Sequence, residues 1–178
     1  MPYNGGLNRI DTANNTVSVY RHSPLDNSTV GANGITSILR TSDGQLLVGT
    51  YGGGLSIYHE DVEKFSTFQN IPGDPSSISN DMVIALFQDS LGIIWVGTEN
   101  GLNRFFPGDE KFEHFLTDSK NKNSISSDMV WAFYEDNNQK LWLGTAGGGL
   151  NSWEAEDRKY SRAKFHPEDI SLPSSNIY

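Results

Sequence analysis

The sequence predicts an all-β fold, a β-propeller fragment of four-stranded antiparallel blades, about three and a half of them, or half of a seven-bladed ring. A repeat is the first observation. Trp95-Val96-Gly97-Thr98-Glu99-Asn100-Gly101-Leu102-Asn103-Arg104-Phe105 recurs as Leu47-Val48-Gly49-Thr50-Tyr51-Gly52-Gly53-Gly54-Leu55 and as Trp142-Leu143-Gly144-Thr145-Ala146-Gly147-Gly148-Gly149-Leu150, and its tail stands at Asn4-Gly5-Gly6-Leu7-Asn8-Arg9-Ile10. The closing glycines, Gly6, Gly54, Gly101 and Gly149, lie about 48 residues apart, a spacing typical of propeller blades. The second observation is alternation of period two, with Ile93, Trp95 and Gly97 on one face and Ile94, Val96 and Thr98 on the other, broken by a glycine turn. The third is a set of connectors rich in Ser, Pro, Asn and Asp, at 23–33, 71–81, 118–128 and 166–176, which read as loops.

Taken in order, the chain divides into a half blade (1–30), three blades (31–77, 78–124 and 125–170) and the start of another (171–178). Gly6 to Ile10 and Val17 to Tyr20 are expected as third and fourth strands of a blade whose first two strands are missing. Blade 2 reads as strands at 35–40, 46–50, 55–58 and 65–68, blade 3 at 82–87, 93–98, 102–106 and 112–115, and blade 4 at 129–134, 141–145, 150–153 and 160–165. Each connector holds one apolar residue, Val30, Ile78, Ile125 or Leu172, that should pin it to the blade below. Gly49, Gly97 and Gly144 fall inside strands, where a missing side chain marks close approach of another backbone or a ring. Trp95 and Trp142 are expected to spread over the neighbouring blade with the indole N–H reaching a polar partner.

Composition narrows the function. A chain of 178 residues with 36% hydrophobic and 11% aromatic content can bury a core. Its net charge of −9 argues against nucleic acid or an anionic membrane as partner, because both need a basic face. There is no cysteine, so thiol chemistry and disulfides are excluded. No apolar run is long enough for a bilayer span or signal peptide, and any such segment is expected outside this stretch.

Leu91-Gly92-Ile93-Ile94 followed by the Trp95 to Phe105 motif resembles the two-component regulator propeller repeat, found in extracellular sensor regions of bacterial membrane receptors. The Asp43-Gly44 and Asp136-Asn137-Asn138 turns and the aromatic-ending fourth strands fit the same family. Leu47 replaces Trp in one copy, which predicts looser packing of blade 2. The resemblance implies a non-enzymatic, ligand-sensing propeller in the periplasmic or extracytoplasmic part of a receptor, with no cofactor. In that family the propeller precedes a membrane span and a histidine kinase, hybrid kinase or cyclic-dinucleotide synthase, none of which lies in these residues. Family analogy makes a glycan or other polar small molecule the expected partner. The alternative is a metal-assisted propeller enzyme similar to streptogramin lyases, resting on His59 or His114, which fall on outer strands.

Most chemistry-bearing residues have a blander role that fits better. His22, His59, His114 and His166 are scattered with no ligand spacing, and no metal site is expected. The glycine runs lead into strands, not helices, so they read as turns instead of phosphate cradles. In a meander, fourth-to-first connectors and second-to-third turns share one end. Ser127 and Ala146 lie there, and the candidate ligand-binding residues at that end are Asn33, Asn80, Asp81, Asp128, Tyr51, Glu99 and Asn100. Trp131 joins them from a first strand, at a repeat position assigned to Ser37, Ile84 and Trp131, and suits stacking on a sugar ring, with core packing as the competing role. A chain opening in mid-blade cannot close a ring alone, so a homo-oligomer, most simply a dimer through the open blade edges, is expected.

Overall fold

In this computed structural model residues 5–154 and 159–162 are described, and their regular structure is all strand. Blade 1 holds β1 (Leu7–Asp11) and β2 (Thr16–Tyr20). Blade 2 holds β3 (Ile35–Arg40), β4 (Leu46–Thr50), β5 (Leu55–His59) and β6 (Lys64–Phe68). Blade 3 holds β7 (Val83–Gln88), β8 (Ile94–Thr98), β9 (Gly101–Phe106) and β10 (Lys111–Phe115). Blade 4 holds β11 (Val130–Glu135), β12 (Leu141–Thr145), β13 (Gly149–Glu154) and β14 (Lys159–Arg162). Every blade is an antiparallel meander in sequence order, as the repeat predicts. The expected anchor Leu172, His166 and the start of a further blade at 171–178 lie outside the described residues. Among the described residues no helix is long and apolar enough to cross a membrane.

First strands of adjacent blades touch, β3 to β7 and β7 to β11, which sets them on the inside of the arc. All three carry the same irregularity. Ile35 pairs with Thr50 but Ser37 with Gly49, and likewise Val83 with Thr98 but Ala85 with Gly97, and Val130 with Thr145 but Ala132 with Gly144. One extra residue per strand is therefore bulged, and a bulge re-aims the side chain it carries. Those residues are Thr36, Ile84 and Trp131, so the repeat partner of Trp131 is Thr36 and not Ser37.

The core lies between blades. Leu7, Val30, Val48, Tyr58 and Phe65 fill the junction of blades 1 and 2. Leu47, Leu55, Ile57, Ile78, Val83, Ile94, Val96, Phe105 and Phe112 fill that of blades 2 and 3. Trp95, Leu102, Ile125, Val130, Leu141, Leu143 and Trp153 fill that of blades 3 and 4. On the second strands of blades 2 and 3 one residue faces back (Val48, Val96) and its neighbour faces forward (Leu47, Trp95), which is period-two alternation put to use. In blade 4 Leu143 holds the backward position and Trp142 the forward one. The connector anchors Val30, Ile78 and Ile125 are fully buried.

One packing expectation needs correction. Leu47 does not loosen blade 2, because it is fully buried in the junction with blade 3, a burial that contributes about 2 kcal/mol. The exchange is coordinated: Asp89 and Asp136 accept the indole N–H of Trp95 and Trp142 at 2.9 Å, and in blade 2 Thr41 stands at the matching place in the hairpin, where Leu47 needs no acceptor. Leu47→Trp, which the repeat alone makes look tolerable, would bring an indole N–H into a sealed site without that carboxylate. Trp142 is half-buried, and the blade expected beyond it lies outside the described residues.

Backbone contacts explain the small residues. A Cβ on Gly97 would meet the Val130 carbonyl oxygen at 2.7 Å and the Phe133 ring at 3.2 Å, both from the next blade. Gly31 and Gly53 face each other so closely that a Cβ on Gly53 would sit 2.3 Å from the Gly31 carbonyl carbon. Connectors also cover strand edges: Phe65 N donates to the Ser28 carbonyl and Phe112 N to the Ser76 carbonyl, each at 2.8 Å, so β6 and β10 are not left bare at those points.

Candidate ligand-binding face

The connectors are wired alike from sequence upward. Asp26 Oδ1 accepts Ser28 N at 2.9 Å and Asp74 Oδ1 accepts Ser76 N at 2.8 Å, while Asn121 Oδ1 takes Asn123 N at 3.0 Å. Hydrogen bonds from the Ser28 and Ser76 hydroxyls, then from their backbone N–H groups, hold the Asp26 and Asp74 carboxyls below the usual carboxylate range. Farther along each loop, Asn33 Oδ1 accepts His22 N at 2.8 Å, Asp81 Oδ1 accepts Asn70 N at 2.6 Å and Asp128 Oδ1 accepts Thr117 N at 2.6 Å. Each of these three sits eleven residues after its donor and closes the connector as a compact loop.

Carbonyls of the same residues then hold the neighbouring turn. Asp81 O accepts Gly52 N at 3.1 Å and Gly54 N at 2.8 Å, Asp128 O accepts Gly101 N at 2.6 Å, and Asn33 O accepts Gly6 N at 3.0 Å. Tyr51 and Glu99 hang from neighbouring backbone through Tyr51 N to Gly34 O at 2.8 Å and Glu99 N to Met82 O at 3.0 Å. The connectors and the second-to-third strand turns thus form one continuous surface, as the meander predicts. Below it runs a buried polar layer. Thr50, Thr98 and Thr145 hydroxyls close their turns onto Gly54, Gly101 and Gly149 carbonyls at 2.8, 2.8 and 2.9 Å, and Asn103 and Asn151 bind Ser79 and Ser126 through both ends of the amide.

The family model for the two component regulator propeller matches residues 29–52, 77–100 and 124–147, which are the connector end, first strand and second strand of blades 2, 3 and 4. Three stretches of the chain thus match the two component regulator propeller repeat. Among solved structures, this propeller is similar to the extracellular domains of two hybrid two component systems of B. thetaiotaomicron. BT4673 has a TM-score of 0.75 at 26% identity over 98% of this chain and 22% of that one. BT3049 has a TM-score of 0.73 at 23% identity over 89% and 20%. The chain therefore spans about a fifth of those domains. Virginiamycin B lyase from Staphylococcus aureus shares the fold, with a TM-score of 0.61 at 13% identity over 91% of this chain and 49% of that one. No curated protein matches the sequence.

Within these regulator propeller repeats the sequence-predicted site residues separate into two groups. Asn33, Asp81 and Asp128 turn their side chains into their own connectors, and Asn80 Oδ1 accepts Met82 N at 2.8 Å, so these four shape the surface. Tyr51, Glu99, Asn100 and Trp131 are exposed, Tyr51 at 52% and Trp131 at 41%. Trp131 is the second residue of β11, two after Met129, whose carbonyl accepts Ala146 N at 3.0 Å, and the bulge turns it out where Val130 beside it is fully buried. Sequence reasoning missed the structural use of Thr98, Asn103 and their equivalents Thr145 and Asn151. Their signal was the recurrence of Thr and Asn on either side of the glycine turn in blades 3 and 4.

The three described histidines do not converge. His59 Nε2 bonds the Ser66 hydroxyl at 2.8 Å, His22 Nδ1 the Val30 carbonyl at 3.0 Å, and His114 Nε2 the Ser77 carbonyl. Among the described residues no three His, Asp or Glu side chains are grouped to hold a metal ion.

Proposed function

We propose that this regulator propeller is a non-enzymatic sensing module from the extracytoplasmic part of a membrane receptor, and that it takes a polar small molecule, a glycan in particular, on its connector face. The observation that carries the reading is Trp131, an indole bulged out of the first strand into solvent beside connectors whose Asn and Asp side chains are committed to the scaffold. An exposed ring of that kind offers stacking area to the apolar face of a sugar, with Glu99 and Asn100 on the same end of the blades to meet hydroxyls. The relatives being extracellular domains of two component systems supports the location and the role. The lyase likeness supplies the fold alone: His59 bonds Ser66 within its own blade, and His114 bonds the Ser77 carbonyl of a connector, with no cluster of metal-ligating side chains around either among the described residues.

The reading is tested by chemical-shift mapping with a panel of neutral oligosaccharides. Saturable shifts centred on Trp131, Tyr51 and Asn100, abolished in Trp131→Ala with an unchanged melt, are expected. Shifts confined to the third-to-fourth strand turns near Asp109, or turnover of a ligand in the presence of divalent metal, would overturn it. Self-association belongs to the same proposal: Ile10, Val17 and Val19 are exposed on blade 1 at 68, 60 and 48%, and a second copy would cover them. Light scattering at micromolar concentration is expected to give twice the 19.7 kDa chain mass, and a monomer would rule that part out.

A further inference from the structure

The three blade junctions are built from the same repeat positions, so a junction that departs from the pattern stands out chemically. Between blades 2 and 3 the third and fourth strands of the lower blade present Ile57 and Phe68, and the third strand of the upper blade presents Phe105, in an apolar packing with Phe68 and Phe105 centroids 5.3 Å apart. Between blades 1 and 2 the matching residues are Arg9, Tyr20 and Tyr58. There the two phenol oxygens lie 2.8 Å apart, and the Arg9 guanidinium stands beside them, its charge favoured by both hydroxyls. A cavity of about 190 Å³ opens at this junction, lined by Arg9, Arg40, Gly44, Leu46, Tyr58 and Glu60.

Arg40 breaks a second pattern. At the end of the first strand, Gln88 Oε1 accepts Ser42 N at 2.7 Å and Glu135 accepts Ser90 N at 2.8 Å and the Ser90 hydroxyl at 2.7 Å, clasping each blade to the hairpin of the one before. Arg40 holds that place in blade 2 and can only donate. Among the described residues it makes no ion pair. Arg9 is paired weakly, 3.8 Å from Glu60 and 3.9 Å from Glu63, both carboxylates well exposed. By contrast Arg104, the repeat partner of Arg9 in blade 3, is turned to its own blade, 4.0 Å from Glu113 and 4.7 Å from the Phe106 ring centre.

The donors in the cavity outnumber the acceptors. One phenol proton is spent in the Tyr20–Tyr58 bond, which leaves the other able to point elsewhere, together with two guanidinium groups. Burial first, then the Tyr20 hydrogen bond, pushes the Tyr58 hydroxyl up to about 12, so it remains a donor at neutral pH. Glu60 is the acidic group at the rim. Two planar guanidinium forks that line one cavity from different blades suit a carboxylate, and the volume is below that of pockets that take drug-sized ligands. We infer that the junction of blades 1 and 2 is a binding site for a small organic carboxylate, held between Arg9 and Arg40 over the Tyr20–Tyr58 pair. It is separate from the Trp131 surface and does not depend on it.

Calorimetric titration of the chain with D-glucuronate, D-glucose and D-glucose 6-phosphate tests this. Saturable binding of glucuronate is expected, with at least tenfold weaker binding of glucose, which lacks the carboxylate. Arg40→Ala should weaken glucuronate binding at least tenfold and Glu60→Gln should tighten it severalfold. Both are surface changes whose melts should match the unaltered chain. Trp131→Ala should leave glucuronate binding unchanged, whatever becomes of the connector-face reading. No heat with glucuronate, equal binding of glucose, tighter binding of glucose 6-phosphate, no effect of Arg40→Ala, or loss of glucuronate binding in Trp131→Ala would each overturn the assignment.

Discussion

Trp95 and Trp142 occupy one repeat position, sit on equivalent second strands and donate the same 2.9 Å hydrogen bond to an aspartate that opens the hairpin before them. Trp95 is 1% exposed, enclosed by Phe115 at 5.8 Å and by Trp153 of the next blade at 6.0 Å between ring centres. Trp142 is half-buried, with the Lys140 ammonium 5.5 Å from its ring centre and Tyr134 beside it 64% exposed. The difference teaches that the motif specifies a direction, forward from the blade, and that the neighbouring blade decides what the direction is worth. The aspartate bond shows the same division. It survives in both places, and at Trp142 it is the leading cause that holds the Asp136 carboxyl below the ordinary carboxylate range. The sign follows: that contribution is complete above the unfolded value of about 3.9 and is lost only as pH falls through the lower folded value.

The largest test of this contrast is truncation. Trp95→Ala should cost about 3–5 kcal/mol in denaturant melts, as a large-to-small change in a closed core, and Trp142→Ala about 1–2 kcal/mol. Equal losses would mean that both rings are enclosed to the same degree. Next comes the close approach that lets a connector reach its turn: Gly53→Ala should cost about 3 kcal/mol because its new methyl would strike the Gly31 backbone, which cannot rotate away. An unchanged melt would show that the connector can shift. Smallest are the third-to-fourth strand turns, where Glu63 and Glu110 adopt φ of 53° and 55°. Glu110→Gly should raise stability by about 0.5–1 kcal/mol by removing a left-handed strain, visible as a higher Tm. A lower Tm would mean that the side chain contributes more than its backbone costs.

Most of the fold is legible in the sequence because its signals are local and repeated. Glycine turns, alternation and buried connector residues such as Ile78 and Ile125 each appear several times, and strand limits read from them agree with the structure within a residue or two, the expected end of the last strand at 165 lying outside the described residues. What escapes is relational. The bulge that makes Thr36 the partner of Trp131 is a matter of pairing, and counting along the strand places Ser37 there instead. Leu47 reads as a defect until Thr41 is set in place of the aspartate that Trp95 requires. Topology alone places the connectors and turns on one surface. Sequence does not reveal that Asn33, Asp81 and Asp128 close their own connectors, because an acceptor and a donor eleven residues apart leave no pattern that differs from a solvated loop.

The central claim, that one motif is given different weight by its place in the stack, is tested most directly by exchange of the two indole protons with solvent. Both N–H groups make the same hydrogen bond, so that bond alone predicts equal protection. The account predicts that the Trp95 indole proton exchanges only with opening of the junction between blades 3 and 4, orders of magnitude more slowly than that of Trp142. Matching exchange rates for Trp95 and Trp142 would contradict it.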